Sequence, residues 1–209
     1  MGIAKEGYPF IITPSVLTLL ALASGWWWAA LGFGLLAAAF LGFFRDPKRV
    51  PPQGNGLILS PADGKVVKIV EREDKEPPGK RGIRLSIFLS PLDVHVNRAP
   101  VKGRVEAVEY RKGRFFAAYE EKSSENNERN SLKIVDAKGR NVGVAQIAGF
   151  LARRIVCYAR PGDQLESGQK FGLIMFGSRV DLFLPGGARI EVAEGQRVKG
   201  GETIIGRLP

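Results

Sequence analysis

Cysteine and histidine are almost absent from this chain of 209 residues. Cys157 is the single cysteine, so an internal disulfide framework is excluded. His95 is the single histidine, so no Cys/His cluster has the spacing of a metal site, and we expect no metal. Any step that needs an ordinary general base at neutral pH therefore falls to His95.

The N-terminal region has no charged residue between Gly7 and Phe44, and nearly every position there is apolar or small. A single helix over this stretch would be about 57 Å long, nearly twice the hydrocarbon core of a bilayer. Two shorter helices, roughly Phe10 to Ser24 and Trp26 to Phe44, fit the length better, because Ser24-Gly25 breaks the pattern. The sequence therefore predicts a membrane-associated helical hairpin in residues 1–44.

Basic residues flank this apolar region on both sides, with Lys5 before it and Arg45, Lys48 and Arg49 after it. A hairpin puts both flanks on one face of the membrane, and the positive-inside rule makes that face cytoplasmic. We therefore expect the protein at the cell membrane, with its remaining domain on the cytoplasmic face. A re-entrant hairpin stays open because the first helix is short for a full span, and a cleaved signal peptide is the weaker alternative.

The formal net charge of +10 favours an anionic partner, either nucleic acid or an anionic membrane surface. Nucleic-acid binding would need aromatic stacking positions on a basic surface, and only the region from Arg111 to Tyr119 offers them. The apolar N-terminal region favours the membrane. We therefore expect anionic lipid as the partner and no nucleic acid.

Residues 45–209 contain short alternating apolar runs and many turns, but no long amphipathic helix. The Gly-basic-Val pattern at Gly64 recurs at Gly103, and a longer Gly-x-x-[Leu/Val]-x-x-Gly pattern starts at Gly162 and again at Gly195. Repeated turns of this kind are typical of lipoyl and biotinyl carrier domains, although the Met-Lys pair of a carrier is absent. The predicted fold is mainly β, a barrel-like β-sandwich behind the helical hairpin.

A Gly-Ser pair, Gly177-Ser178, lies between two apolar runs near the C-terminus, Phe171 to Phe176 and Val180 to Leu184. The simplest interpretation is a bulge or a tight turn in buried sheet. A serine hydroxyl also becomes a nucleophile when a base takes its proton, and Gly177 would let the backbone bend toward that hydroxyl.

Asp63 and His95 each have a plain structural interpretation too. An aspartate before a glycine is commonly a β-turn residue, and a histidine between Val94 and Val96 is commonly part of a packed core. Taken singly, neither residue indicates catalysis.

Four motifs, in order along the chain, resemble the phosphatidylserine decarboxylase family in its short form with a membrane hairpin. They are Pro-Ala-Asp63-Gly, Asp-Val-His95-Val-Asn-Arg-Ala-Pro, Asn127-Glu-Arg-Asn and Phe-Gly-Ser178-Arg. The resemblance covers nearly the whole chain, including the double hydrophobic segment and the C-terminal glycine repeat. It implies a self-processing, pyruvoyl-dependent carboxy-lyase that converts phosphatidylserine into phosphatidylethanolamine and carbon dioxide.

The same resemblance implies a role for each motif residue. Ser178 attacks the carbonyl of Gly177, His95 accepts the proton of the hydroxyl, and Asp63 orients and stabilises the imidazolium, as in a Ser-His-Asp triad. The resulting ester eliminates, and Ser178 becomes the pyruvoyl group. The substrate amine then forms a Schiff base with that group, and His95 is the candidate acid that protonates the product.

Cleavage at Gly177-Ser178 would give fragments 1–177 and 178–209, which we expect to stay together as a heterodimer because the cut falls within interleaved sheet. A higher oligomer is open. The substrate lipid is phosphatidylserine or its ether-linked archaeal analogue, archaetidylserine, because both present the same head group.

Two positions depart from the family pattern. Many relatives have threonine after the processing serine, where this chain has Arg179, and a second histidine three positions after the first, where it has Arg98. Arginine is not a base at neutral pH, so a role shared by two histidines collapses onto His95 or passes to another group. Arg98 and Arg179 are instead candidates to bind the carboxylate or phosphate of the substrate.

Two other classes of protein are alternatives to a decarboxylase. A membrane-tethered serine hydrolase could use Asp63, His95 and Ser178 on external substrates, but the chain lacks a Gly-x-Ser-x-Gly elbow. A membrane-anchored β-sandwich adaptor would need none of these three residues.

Overall fold

The computed structural model describes residues 2–73, 81–113, 127–149, 154–175 and 178–209. The chain divides into two compact units, Met1–Lys48 and Arg49–Pro209. Most of the polar segment between Arg111 and Ser131, for which the sequence leaves an exposed loop or a short helix open, lies outside the described residues, and so do Phe176 and Gly177.

The first unit is mainly helical. A short 3-10 helix and two α-helices are followed by a strand that pairs antiparallel with the N-terminal strand: β1 (Gly2–Ile3), the 3-10 helix (Lys5–Gly7), α1 (Tyr8–Ala23), α2 (Trp27–Phe43) and β2 (Arg45–Asp46). Phe10 of α1 packs against Phe40 and Phe44, with ring centroids 5.6 and 5.4 Å apart. The helices break at Gly25, which has a φ of 73°, and their ends lie within two residues of those expected from the sequence.

Apolar side chains are largely exposed on both helices of this unit. Leu19 and Leu35 are 67% and 64% exposed, and Trp28 is 88% exposed. The continuous helical stretch Lys5–Ala23 is long and apolar enough to cross a membrane, whereas Trp27–Phe43 is an apolar helix of shorter length. Exposed surface of this kind fits an apolar environment better than water.

The second unit is built from strands, which confirms the predicted mainly β class. The strands are β3 (Leu57–Leu59), β4 (Gly64–Glu73), β5 (Arg81–Leu89), β6 (Val96–Arg98), β7 (Gly103–Arg111), β8 (Arg129–Val135), β9 (Asn141–Ala148), β10 (Arg154–Cys157), β11 (Gln164–Leu165), β12 (Lys170–Met175), β13 (Ser178–Pro185), β14 (Arg189–Ile190), β15 (Arg197–Val198) and β16 (Ile204–Arg207).

Eight of these strands form one curled sheet in the order β11-β7-β8-β9-β13-β5-β4-β15. Two three-stranded sheets, β10-β12-β6 and β14-β16-β3, accompany it, and all pairings are antiparallel. Alternate residues of β5, β9 and β13 point into a shared apolar core that includes Leu85, Ile87, Val144, Val180 and Leu182. β13 is therefore an interior strand, paired on both sides.

The strand order reads as two halves related by an approximate two-fold rotation, in which β11, β7, β8 and β9 correspond to β15, β4, β5 and β13. The hydrogen bonds repeat: Val105 N–H donates to Asp163 O over 2.8 Å, and Val66 N–H donates to Gln196 O over 2.9 Å. Gly103 begins β7 as Gly64 begins β4. The repeats seen in the sequence are thus the turns and strand starts of two equivalent half-sheets.

These halves are not consecutive along the chain. One half is continuous from β6 to β12, and the other is split into β3–β5 and β13–β16. The chain therefore passes between the halves twice, once between Leu89 and Val96 and once between Met175 and Ser178. The antiparallel pairs β5/β13 and β6/β12 bring these two crossings side by side.

Candidate functional site

Four strand ends of the large sheet meet at the two crossings. Ser178, the first residue of β13, pairs with Leu89 at the end of β5 and with Ala148 at the end of β9. Lys65 pairs with Phe88, so the start of β4 lies at the same end of the sheet. The starts of β4 and β13 and the ends of β5 and β9 therefore lie at the same end of the sheet.

Ser178 is fully buried. Its Oγ has no hydrogen-bond partner among the residues that the structure describes. A buried hydroxyl without a partner is costly, and such groups commonly mark sites of chemistry. The neighbouring Gly177 lies outside the described residues.

His95 lies in the crossing between β5 and β6 and is buried. Its carbonyl accepts a 3.2 Å hydrogen bond from Ile174 N–H, which ties this crossing to the strand that leads toward Ser178. Its Nδ1 lies 2.9 Å from the carbonyl oxygen of Asp93. Because a carbonyl only accepts, the neutral ring carries its proton on Nδ1 and its lone pair on Nε2. In this tautomer Nε2 is the ring nitrogen that can accept a proton.

Asp63 lies in the turn before β4 and is held by donors on both carboxylate oxygens. Arg49 Nη2 donates to Oδ2 over 2.7 Å, and Gly200 N–H donates to Oδ1 over 2.8 Å. Arg49 Nη1 also donates to Glu202 over 3.2 Å. Burial raises the pKa of Asp63 above its usual value, while the Gly200 hydrogen bond and Arg49 act in the opposite direction.

Asp93 is a residue that the sequence reasoning missed. Its backbone carbonyl, rather than the carboxylate of Asp63, faces His95 Nδ1, which changes how the predicted triad is assembled. Its buried carboxylate accepts a 2.8 Å hydrogen bond from Ser90 N–H and pairs with Arg197. The negative charge of Asp93 contributes to the rise in the pKa of Asp63. The one sequence feature that pointed to Asp93 is its position two residues before the single histidine.

The Asn127 motif supports the strand beside Ser178. Asn127 is fully buried, and its Nδ2 donates a 2.7 Å hydrogen bond to Ala148 O. Ala148 N–H donates to Glu128 O over 2.9 Å, so both backbone groups of Ala148 are fixed. Since Ala148 is a cross-strand partner of Ser178, the motif braces the place where β13 begins.

The two arginines predicted to bind substrate lie in different settings. Arg179 is buried and pairs with Asp181, with Nε 2.9 Å from Oδ1. Neighbouring strand residues alternate, so Arg179 points to the face of the sheet opposite Ser178. Arg98 Nη1 donates to Gly168 O over 3.2 Å, in a turn of the glycine repeat. Substrate binding by either arginine stays a prediction.

The architecture and the site define a mainly β chain with an interior strand that starts with a buried serine, next to a crossing that carries a buried histidine. The sequence profile of the family described as phosphatidylserine decarboxylase matches residues 36–206. The chain belongs to this family, as the motif resemblance predicted.

Similar proteins match this chain over nearly its whole length. The phosphatidylserine decarboxylase proenzyme of Symbiobacterium thermophilum is 47% identical over 207 residues, which cover 99% of this chain and 96% of that protein. The proenzyme of Saccharopolyspora erythraea is 47% identical, with coverage of 97% and 86%, and that of Gluconobacter oxydans is 46% identical, with coverage of 98% and 93%. The family signal is thus spread over the chain and is not confined to the site motifs.

Proposed function

We propose that this protein is a phosphatidylserine decarboxylase, a carboxy-lyase of phospholipid biosynthesis. It is made as a proenzyme, cuts its own chain between Gly177 and Ser178, and then converts phosphatidylserine into phosphatidylethanolamine and carbon dioxide. The observation that carries the proposal is the buried Ser178 hydroxyl at the start of β13, which has no hydrogen-bond partner in the part of the chain that the structure describes and lies beside the crossing that holds His95. Full-length similarity to named proenzymes supports it.

Self-cleavage begins with an N-to-O acyl shift. The Ser178 Oγ bonds to the Gly177 carbonyl carbon as His95 Nε2 takes its proton, and the π electrons move onto the carbonyl oxygen. The C–N bond then breaks, the nitrogen takes a proton, and an ester remains. Because Ser178 is fully buried, an external ester cannot reach it in this state, which favours attack on the chain itself over a serine hydrolase.

A base would take the Cα proton of Ser178 as the Cβ–O bond breaks, which releases Gly177 as a carboxylate and leaves dehydroalanine. Its imine tautomer then adds water and loses ammonia to become the pyruvoyl group. Processing would remove the Ser178 hydroxyl. This fits a buried oxygen that has no hydrogen-bond partner among the described residues. The pyruvoyl carbonyl supplies an electrophile for the substrate amine and a sink for the electrons left by the departing carboxylate. His95 then holds the proton that replaces carbon dioxide.

Asp63 contributes negative charge near the imidazolium in this scheme. Its carboxylate oxygens are held by Arg49 and Gly200, and His95 Nδ1 is held by the Asp93 carbonyl. We therefore assign orientation of the ring to Asp93 and stabilisation of the positive charge to Asp63. This divides between two residues the work that one aspartate does in a Ser-His-Asp triad.

The two fragments stay together as a heterodimer. Fragment 178–209 contributes β13, which pairs with β5 and β9, and also β14, β15 and β16. Its buried side chains include Val180, Leu182 and Ile205. Release would expose this core, so cleavage of one peptide bond leaves the assembly intact.

The membrane is where the substrate resides, and the apolar helices of the first unit attach the protein there. Basic residues on both sides of the hairpin favour the cytoplasmic face. The substrate lipid is phosphatidylserine or its ether-linked analogue, since the reacting head group is the same.

The test is the intact mass of the purified protein, measured beside that of the Ser178→Ala variant. The wild type should give fragments 1–177 and 178–209, the second lighter than a serine-started peptide by the mass of one ammonia. Ser178→Ala should remain one chain. A single full-length mass for the wild type, or a fragment with an ordinary N-terminal serine, overturns the self-processing proposal.

The role of His95 has its own test. His95→Ala should leave the precursor uncut and inactive on phosphatidylserine, with the Asp93→Asn variant as the control, because that variant keeps the backbone carbonyl that orients the ring. Normal cleavage and turnover in His95→Ala would refute both of its assignments.

A further inference from the structure

Three buried amide side chains form a continuous hydrogen-bonded row through the core of the second unit. Asn130 Nδ2 donates to Gln146 Oε1 over 3.0 Å, and Gln146 Nε2 donates to Asn97 Oδ1 over 2.8 Å. All three residues are buried. At the far end of the row, Asn97 Nδ2 has no hydrogen-bond partner among the described residues.

The direction of this row is set by a backbone carbonyl. Gln146 Nε2 also lies 3.3 Å from Val156 O, an atom that can only accept. Reversing the amide would place two oxygens against each other, so Gln146 presents its NH₂ group to both neighbours. Asn97 must then offer its oxygen to Gln146, and its own NH₂ group is directed elsewhere.

The backbone leaves room for this arrangement at Gly172, the cross-strand partner of Asn97. A Cβ at Gly172 would lie 2.9 Å from Gln146 Nε2 and 2.3 Å from Val156 O. A side chain is therefore excluded there. The glycine allows Gln146 to reach across to Asn97.

Asn97 ends the row among residues whose register places them on the same faces as Ser178 and His95. Gln146 and Ala148 point to the same face of β9, about 7 Å apart along the strand, and Ala148 is the cross-strand partner of Ser178. On the other side, His95 and Asn97 are two residues apart in extended chain whose hydrogen bonds to β12 begin at His95 O, so their side chains also share a face.

We propose that Asn97 is the oxyanion donor of self-cleavage, which rests on the proposed function. When Ser178 bonds to the preceding carbonyl, negative charge forms on that carbonyl oxygen, and the Asn97 NH₂ group donates a hydrogen bond to it. Gln146 and Asn130 are positioning residues that hold the Asn97 amide in the required orientation. A preoriented donor in a buried site is the kind of group that lowers such a barrier most.

The main test is the rate of self-cleavage of freshly synthesised precursor, followed by the appearance of the two fragments. Asn97→Asp keeps the oxygen that accepts from Gln146 and replaces only the free NH₂ group. Cleavage should slow roughly 100- to 1000-fold, the usual loss for one oxyanion donor. The ratio of variant to wild-type rate should rise as the pH falls, because a protonated carboxyl again has a proton to donate.

Asn141→Asp is the matched control, since it makes the same amide-to-carboxyl change at an exposed position at the start of β9, outside the amide row. Circular dichroism and thermal unfolding establish that each variant is folded, and Asn97→Ser provides a smaller donor if the aspartate variant does not fold. Slow cleavage in Asn97→Asp with a wild-type-like rate in Asn141→Asp supports the proposal. Equal rates in folded Asn97→Asp and wild type overturn it.

The same experiment separates this inference from the proposed function. A wild-type precursor that never cuts itself would overturn the proposed function. A wild type that cuts itself while Asn97→Asp cuts equally fast would overturn only the role of Asn97. Hydroxylamine adds a second readout: it cleaves an accumulated ester, so it should not speed a variant that is blocked before the ester forms.

Discussion

Arg49 holds the Asp63 carboxylate through a 2.7 Å hydrogen bond between Nη2 and Oδ2, and the two side chains are only 8% and 15% exposed. Arg49 is the first residue of the second unit, directly after the segment that carries the apolar helices. A buried carboxylate depends on such a partner to stay ionised, because burial favours its neutral form. The ion pair therefore makes Arg49 a positioning residue for the proposed site.

Replacing Arg49 with methionine should shift the acid side of the self-cleavage pH profile to higher pH. Burial already raises the pKa of Asp63, and loss of Arg49 removes an interaction that lowers it. The proposed mechanism needs Asp63 ionised, so the rate should be lost as the pH falls through the pKa of Asp63. A higher pKa moves this loss to higher pH. We expect cleavage roughly tenfold slower than wild type at pH 6 and similar to wild type at pH 9.

Arg140→Met is the control for this profile, because it breaks another arginine–aspartate pair, with Asp136, in the hairpin between β8 and β9. Its profile should match that of the wild type. A parallel shift in both variants would mean that overall destabilisation, and not the charge on Asp63, determines the pH dependence.

The approximate two-fold rotation supplies a matched pair of variants, Gly64→Ala and Gly103→Ala. A Cβ would lie 2.2 Å from Phe88 O in the first and 2.4 Å from Val135 O in the second, so both should lose about 1–3 kcal/mol of stability. Only Gly64 adjoins Asp63. Cleavage by the folded fraction should be impaired in Gly64→Ala and retained in Gly103→Ala; equal impairment would count against the site at Asp63.

Asp136 should make the stability of the precursor pH-dependent. Burial raises its pKa, but hydrogen bonds from Arg140 and from the backbone N–H groups of Arg140 and Lys138 outweigh this and lower it. A lowered pKa means that the stabilisation is complete above the unfolded value of about 3.9 and is lost as the pH falls through the folded value.

Thermal unfolding of Asp136→Asn, made in the uncut Ser178→Ala background, measures this effect. At pH 7 the melting temperature should fall by about 2–4 °C, the change expected for roughly 1 kcal/mol in a chain of this size. The difference from the parent should shrink as the pH approaches 3. A difference that is constant with pH would contradict the assignment.

The apolar helices should attach the protein to lipid. Leu19→Asp with Leu35→Asp introduces charges on exposed positions of α1 and α2, each costing about 2.5–3.5 kcal/mol in a bilayer interior. Flotation with liposomes should fall at least tenfold, while Val50→Asp, at an even more exposed position in the second unit, should float like the wild type. Unchanged flotation of the double variant would argue against attachment through the helices.

The sequence predicted the fold class well because its signals were local. The uncharged stretch and the Ser24-Gly25 break determined two helices, and the alternating runs determined strands such as β8 and β9. The repeats at Gly64 and Gly103 marked two related strand starts. Their arrangement as interleaved halves was not predictable, because strand partners such as β13 and β9 are set by tertiary packing that no local pattern encodes.

The site was predictable only in part. Ser178, His95 and Asp63 stood out through their motifs, and the sheet gathers the strand ends near them. The carbonyl of Asp93, the guanidinium of Arg49 and the amide row from Asn130 to Asn97 were missed. A backbone carbonyl has no sequence identity, and buried ion pairs and amides join residues that are far apart in the chain.

Because β13 is an interior strand, the uncut precursor and the cleaved protein differ in how they can fold. Before the cut, β13 reaches its place between β5 and β9 as part of one chain, so folding is independent of concentration. After the cut, unfolding would release two molecules that must find each other again, and refolding would become second order. Once self-processed, the protein could be unfolded by heat or denaturant but not readily restored by dilution, so its working lifetime would depend on the barrier to unfolding.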